Sequence, residues 1–392
     1  MRDSLYLAWR NLCYYRAKSI ILIFSVALVL FLPSGLKLVV EEGGRVLKAR
    51  SESTPLLLGA KGSALELTMN ALYFGREAPE AVRYGEAEKV MEGGLAEAIP
   101  LYTRFEVQGL PIVGTSLDYM GFRKLRLREG RLFATLGECL LGSEAAEELG
   151  VGVGDSVVSS PESVFDLAGV YPLKMKVVGV LAKSGTADDM GVFTDIKTTW
   201  VIQGLAHGHM DMASAEAAPT VLKKEEGKIV ANAAVKTYNE VTASNVHQFH
   251  FHGSQDEFPI SALIVVPNDK KAETLLRGRY VGKNQFVQMV QPRVIMEELL
   301  ETVASVQAFV MIGLMVAGGA AGMTMVLVFM LSVELRKREI LTMQRIGAER
   351  GKVGALIGLE VSMILLAGGV LAAACTASLV VYGPKLIQQL IS

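Results

Sequence analysis

Residues 333–348 read Val333-Glu334-Leu335-Arg336-Lys337-Arg338-Glu339-Ile340-Leu341-Thr342-Met343-Gln344-Arg345-Ile346-Gly347-Ala348, a charged stretch between two long apolar runs. The run 303–333 carries no charge, and the run 353–382 carries one, Glu360. Each exceeds the roughly 20 apolar residues that span a hydrocarbon core of about 30 Å. The pattern reads as two membrane helices joined by a short charged hairpin, 334–352. At about 1.5 Å per residue the uncharged run 303–333 extends roughly 46 Å, so it is expected to continue beyond the bilayer as a stalk. Glu360 lies near the hairpin end of its span, where the hairpin arginines or Lys352 can pair with it. A structural or coupling role suits it better than proton transfer.

The rest of the chain fits a membrane protein with a large aqueous part. The 392 residues are 51% hydrophobic yet 20% charged, a mixture that neither a soluble enzyme nor a wholly embedded carrier shows. The net charge of −1 gives no reason to expect nucleic acid. Another apolar run, 19–40, follows a segment, 1–18, with Trp9, Tyr14 and Tyr15 among basic residues. No small-residue cleavage site follows that run. The segment 1–18 is therefore read as an amphipathic helix at the lipid headgroups, and 19–40 as a retained first span. Arg2, Arg10, Arg16 and Lys18, with the six basic residues of 334–352, place both segments in the cytoplasm. Residues 41–302 then lie outside, and the short tail 383–392 does too.

Within 41–302, period-2 or β-rich runs occur at 102–107, 156–158, 174–181, 192–195, 229–237 and 260–266. Helical stretches fall at 142–149 and 272–277, and another at 38–50 leads out of the first span. Residues 204–228 show little periodicity and are read as a mobile surface loop. The expected fold is thus an α-helical transmembrane bundle of three spans with an α+β extracytoplasmic domain inserted between the first and second. Cys139 is the only cysteine of that domain, so no disulfide framework is available to it.

Several motifs recur in a fixed order. The hairpin has the pattern Glu-x-Arg-x-Arg-Glu-Ile followed by Arg-x-Gly-Ala. Leu58-Gly59-Ala60-Lys61-Gly62-Ser63 follows the first span. Gly130-Arg131-Leu132-Phe133 precedes Leu141-Gly142-Ser143 and Gly150-Val151-Gly152-Val153-Gly154-Asp155. Lys176-Val177-Val178-Gly179-Val180-Leu181 leads to Gly185-Thr186-Ala187-Asp188-Asp189. In this order they resemble the MacB/FtsX family of ABC-transporter permeases. The resemblance implies a multi-pass inner-membrane subunit with a periplasmic domain, paired with a separate cytoplasmic ATPase and a second permease copy. It also implies a short cytoplasmic helix that docks on the ATPase. Carried onto this chain, the coupling residues are Glu334, Arg336, Arg338, Glu339, Arg345 and Gly347. Family members usually have a fourth span, for which 384–392 is too short.

Gly59-Ala60-Lys61-Gly62-Ser63 is not a Walker A loop, because its lysine precedes the second glycine. No nucleotide site or catalytic constellation is expected in the chain itself, and Asp188-Asp189 reads as a loop pair. ATP is expected to act through the partner. All five histidines fall at His207, His209, His247, His250 and His252. On a strand, His250 and His252 share a face, and paired imidazoles suit zinc. The His250-Phe251-His252-Gly253 run also resembles a branch of these permeases linked to zinc-related transport. Two other readings follow: a membrane-anchored zinc-binding module, or an FtsX-like regulator that captures a periplasmic cell-wall hydrolase.

Overall fold

The computed structural model describes residues 2–75, 77–160, 172–208, 221–225, 228–231, 239–282, 286–346 and 350–391. The chain divides into two units, residues 1–45 with 298–389, and residues 46–297 with 390–392.

The first unit is helical. It comprises α1 (Arg2–Tyr14), the larger part of α2 (Arg16–Glu52), most of α3 (Pro292–Leu335), α4 (Lys337–Arg345) and α5 (Arg350–Ile391). Three stretches, Arg16–Glu52, Pro292–Leu335 and Gly351–Val381, are long and apolar enough to cross a membrane. Their apolar side chains face outward, as at Phe309, which is 75% exposed. Lipid is the solvent that makes such a surface stable. Leu22, Val26 and Ile364 form a small core between α2 and α5. A Cβ on Gly368 would stand 2.6 Å from Val26, so only glycine permits that approach. Gly318 serves in the same way, at 3.2 Å from Val29, whereas Gly313, Gly319, Gly322 and Gly369 meet nothing within 4 Å.

The charged hairpin contains the short helix α4 that the family resemblance implies, its polar and apolar residues alternating at helical spacing. Two local expectations change. The helix expected at 38–50 is the end of α2, because Gly43-Gly44 does not break it; Gly44 sits against Leu300. The tail continues α5 instead of leaving it.

The second unit is built on a ten-stranded mixed sheet. Its strands are β1 (Leu56–Ala60), β2 (Ala96–Val107), β3 (Leu110–Thr115), β4 (Leu127–Gly130), β5 (Glu138–Leu141), β6 (Ser156–Val158), β7 (Lys174–Leu181), β8 (Val192–Asp195), β9 (Ala262–Pro267) and β10 (Val287–Val290). They lie in the order β10-β1-β9-β2-β3-β8-β5-β7-β4, with β6 paired to β7. The β3–β8 and β5–β7 pairs are parallel, and the others are antiparallel. Leu56, Leu57 and Leu58 are all fully buried, so both faces of β1 are covered. That explains why β1, β3 and β5 read as short apolar runs without alternation.

Short helices cover the sheet, and their starts are capped. Ser63 Oγ accepts the Glu66 N–H at 3.2 Å, and Asp195 accepts the Lys197 N–H at 2.9 Å. Lys61, Gly62 and Ser63 are thus a strand exit, a turn and a helix cap. Trp200 anchors the core edge-on to Tyr84, Phe251 and Phe258, and its indole N–H donates to the Pro259 carbonyl at 2.8 Å. Within the expected loop 204–228, Ala206–Gly208 pairs with Phe249–Phe251, and Val221–Glu225 pairs with Lys228–Ala231. Strands this short leave no period to detect, and the first finds its partner some forty residues away.

Candidate functional site

One hairpin residue, Arg336, is held to the helical unit by a span carboxylate. Glu360, 4% exposed on α5, is the acceptor. Arg336, at the break between α3 and α4, donates to its two oxygens at 3.3 and 3.4 Å. The Asn11 side-chain amide of α1 donates to the same carboxylate. Arg336 also reaches Glu339 at 3.3 Å, and Lys18 donates to Ser332 at 2.7 Å. The span carboxylate is therefore neutralised by a hairpin arginine, as its position predicted.

The other expected coupling residues are arranged differently. Glu334 pairs with Lys337 at 2.8 Å, away from Glu360. Arg338, Glu339, Leu341 and Arg345 are exposed on α4, and Ile346 just past its end is 81% exposed. α4 thus presents charged and apolar side chains together, the composition of a docking surface. Gly347 lies outside the described residues.

The histidines come together only in part. His207 and His250 are register partners on paired strands. The rings of His250 and His252 are 4.8 Å apart. His247 lies in the preceding short helix, Val246–Gln248, and His209 is outside the described residues. Among the described residues no group of three His, Cys, Asp or Glu side chains could hold a metal ion.

Sequence reasoning missed a buried cluster around an arginine–aspartate pair. Arg50, in the last turn of α2, forms a two-pronged ion pair with Asp188: Nη1 to Oδ2 at 2.6 Å and Nη2 to Oδ1 at 2.9 Å. The side chains are 6% and 2% exposed. Tyr119 accepts from Arg50 Nη2 at 2.9 Å and donates to Asp188 Oδ1 at 2.7 Å. Thr186 donates to Asp188 Oδ2 at 2.9 Å. Arg123 stacks over Phe122 and Tyr119 and donates to Ser53 at 3.1 Å. Tyr73 caps the Leu47 carbonyl one turn earlier on α2.

The motifs that looked weak singly converge here. Asp188-Asp189, expected as a loop pair, is buried in the short helix Ala187–Met190. Asp189 accepts the N–H groups of Ser184 at 2.8 Å and Gly185 at 2.7 Å, which fixes the turn that presents Asp188. A Cβ on Gly142 would lie 2.3 Å from the carbonyl oxygens of both aspartates. Glycine is required there by contact, since its φ is −61°.

Burial alone would push the Asp188 carboxyl up, but the Arg50 guanidinium outweighs it and holds the carboxyl down at about 2. Burial, reinforced by Asp188, pushes the Tyr119 hydroxyl up to about 12. The cluster is therefore a fixed charge pair at ordinary pH. It holds no nucleophile and no general base, and its chemistry is mechanical: it fastens the end of α2 to the sheet unit.

Residues 20–248 match the family model of the MacB-like periplasmic core domain. No curated protein matches the chain. Among solved structures, the periplasmic region of MacB from Actinobacillus actinomycetemcomitans is similar at 10% identity and a TM-score of 0.36, covering 64% of this chain and 97% of that one. The extracellular domain of the noncanonic ABC-type transporter YknZ from Gram-positive bacteria is similar at 13% identity and a TM-score of 0.32, covering 60% and 98%.

Proposed function

The chain belongs to the MacB/FtsX-type family of ABC-transporter permeases, and from that premise we propose that it converts ATP hydrolysis by a separate cytoplasmic ATPase into movement of its periplasmic domain. In this reading α4 docks on the ATPase, three spans cross the inner membrane, and a second permease copy completes the assembly. The observation that carries it is the grip of Arg336 on Glu360, which ties the hairpin bearing α4 to the third span. A push on α4 then moves a membrane helix and is not dissipated in a loose loop. The cargo is left unassigned.

The test is co-purification of the ATPase with the full-length permease. The triple variant Arg338→Ala/Glu339→Ala/Arg345→Ala is expected to lose the ATPase while folding normally, because all three side chains are exposed. Unchanged association would sink the docking assignment.

The 4.8 Å approach of His250 and His252 supports a second reading, in which the outer domain takes up zinc. Titration of the intact protein with zinc is expected to show sub-millimolar binding that disappears in His250→Ala/His252→Ala. Absence of such binding removes the reading.

A further inference from the structure

On the hairpin side of the helical unit, α1, Arg336 and α5 enclose an open cavity of about 420 Å³. Its lining includes Leu7, Arg10, Asn11, Tyr14, Arg336 and Leu356. Two arginines thus share a pocket with apolar and aromatic side chains. That volume falls in the range of about 300–1,000 Å³ that holds small ligands.

The two cations are not equivalent. Arg336 is already balanced by Glu360 and Glu339. Arg10 is exposed and forms no ion pair among the described residues. Its guanidinium is therefore available to a further anion, with Asn11 next to it in sequence and Tyr14 one turn along the same helix. The walls narrow the choice of anion. Leu7 is 52% exposed, Tyr14 79%, and the neighbouring Tyr6 and Trp9 62% and 57%. A helix with so much apolar and aromatic surface beside arginines is stable only at a membrane interface. A free inorganic anion would gain nothing from these walls, whereas an amphiphile would satisfy both parts.

We propose that this cavity is a binding site for one anionic phospholipid, its phosphate on Arg10 and its acyl chains along Leu7, Tyr14 and Leu356. Basic pockets between membrane helices on the cytoplasmic side select such headgroups. An arginine fork matches a phosphate in geometry as well as charge. The site rests on the membrane reading of the helical unit and not on ATPase docking. The lipid would cover the underside of α1 where Asn11 engages Glu360. It would thereby link membrane composition to the hairpin clamp.

The experiment is native mass spectrometry of the full-length protein in mild detergent, with added phosphatidylglycerol or phosphatidylcholine of identical acyl chains. The expected result is one phosphatidylglycerol adduct favoured at least fivefold over phosphatidylcholine. Arg10→Ala should weaken it about tenfold, equivalent to about 1.4 kcal/mol. Arg10→Lys should retain at least half of the adduct, and Arg16→Ala, an exposed cation outside the cavity lining, all of it. Equal adducts for the two lipids, or full retention in Arg10→Ala, overturns the proposal. Displacement of the lipid by millimolar glycerol phosphate also overturns it, because the site would then recognise a free phosphate and not a lipid. Loss of the ATPase docking described above would leave all these outcomes unchanged.

Discussion

Removing one arm of the Arg50–Asp188 pair is the most demanding test of the outer-domain cluster. In Arg50→Met the carboxylate of Asp188 stays buried, keeps Tyr119 and Thr186 as donors and Arg123 as a more distant cation, and loses the guanidinium bonded to it at 2.6 and 2.9 Å. Breaking a buried pair in this way costs about 3–5 kcal/mol, because the orphaned charge must be protonated or resolvated. For a unit of this size each kcal/mol moves the midpoint of thermal unfolding by about 2–4 °C. The expected fall is therefore about 6–20 °C.

Asp188→Asn should cost a similar amount, since it leaves Arg50 and Arg123 facing each other without a counter-charge. The double variant Arg50→Met/Asp188→Leu removes both charges and should fall by much less than the sum of the singles. Trp200, fully buried in the same unit, reports unfolding by fluorescence once the other tryptophan, Trp9, is replaced by phenylalanine. Two outcomes refute the reasoning: single variants within about 1 kcal/mol of the parent, or a double variant that equals their sum.

Acid should weaken the same unit in a defined window. Asp188 and Glu138 are both held at about 2, the first by Arg50 against burial, the second by its hydrogen bond from Arg131. Their folded values lie below the unfolded ones, near 4, so the stability they add is complete above about pH 4.5 and is lost as pH falls towards 2. Denaturant unfolding between pH 5 and 2 should show that decline, with a shallower slope in Arg131→Ala; a flat profile contradicts the assignment. Gly142→Ala would press a methyl to 2.3 Å from two backbone carbonyls and should cost about 1–3 kcal/mol, while Gly152→Ala, with nothing within 4 Å, should be neutral by the same measurement. Cys139 is buried and its thiol is pushed up by burial, so a water-soluble alkylating reagent at neutral pH should label exposed Cys13 and spare Cys139 until the unit unfolds; early labelling of Cys139 would contradict its placement.

The membrane helices were legible because a charge-free run of thirty residues has one physical explanation. The strands at 156–158, 174–181 and 192–195 were legible too, since their β-branched runs are bounded by turns. β1, β3 and β5 were not, because strands covered on both faces lose the alternation that marks a strand, and β10, a half-buried edge strand of four residues, is too short to show a period. At the sites, Glu360 announced itself as a carboxylate in an apolar run, and Arg336 followed from the hairpin's charge. Arg50 did not. It stands in a helix with Lys48 and Glu52, and nothing local distinguishes an arginine that will meet an aspartate 138 positions later from one that faces water. Tyr119 and Tyr73 were hidden for the same reason: their hydroxyl partners exist only in the fold. The Gly-Thr-Ala-Asp-Asp motif was visible and read as a loop pair, since nothing local names the cation that Asp188 meets in the fold.

Under the coupling proposed above, the two arginine–carboxylate contacts would answer one mechanical requirement. Movement passes along a helix only if each end is fastened by contacts that resist sliding. Apolar packing, such as Val26 against Gly368, allows side chains to slip by a rotamer at little cost. A bidentate arginine–carboxylate contact excluded from water does not, because any slip strands a charge in a medium that cannot solvate it. Such a pair adds little net stability compared with leucines of similar volume, so stability alone does not account for it. Geometry does. α2 is an unbroken helix from Arg16 to Glu52, and its last turn carries the arginine whose partner, Asp188, is set by the Ser184–Asp189 turn and backed by Gly142. Arg336 and Glu360 form a looser version beside α4, one guanidinium nitrogen reaching both carboxylate oxygens at 3.3 and 3.4 Å. Under the coupling proposed above, the costly choice of buried charge is accounted for by the fixity it gives each contact.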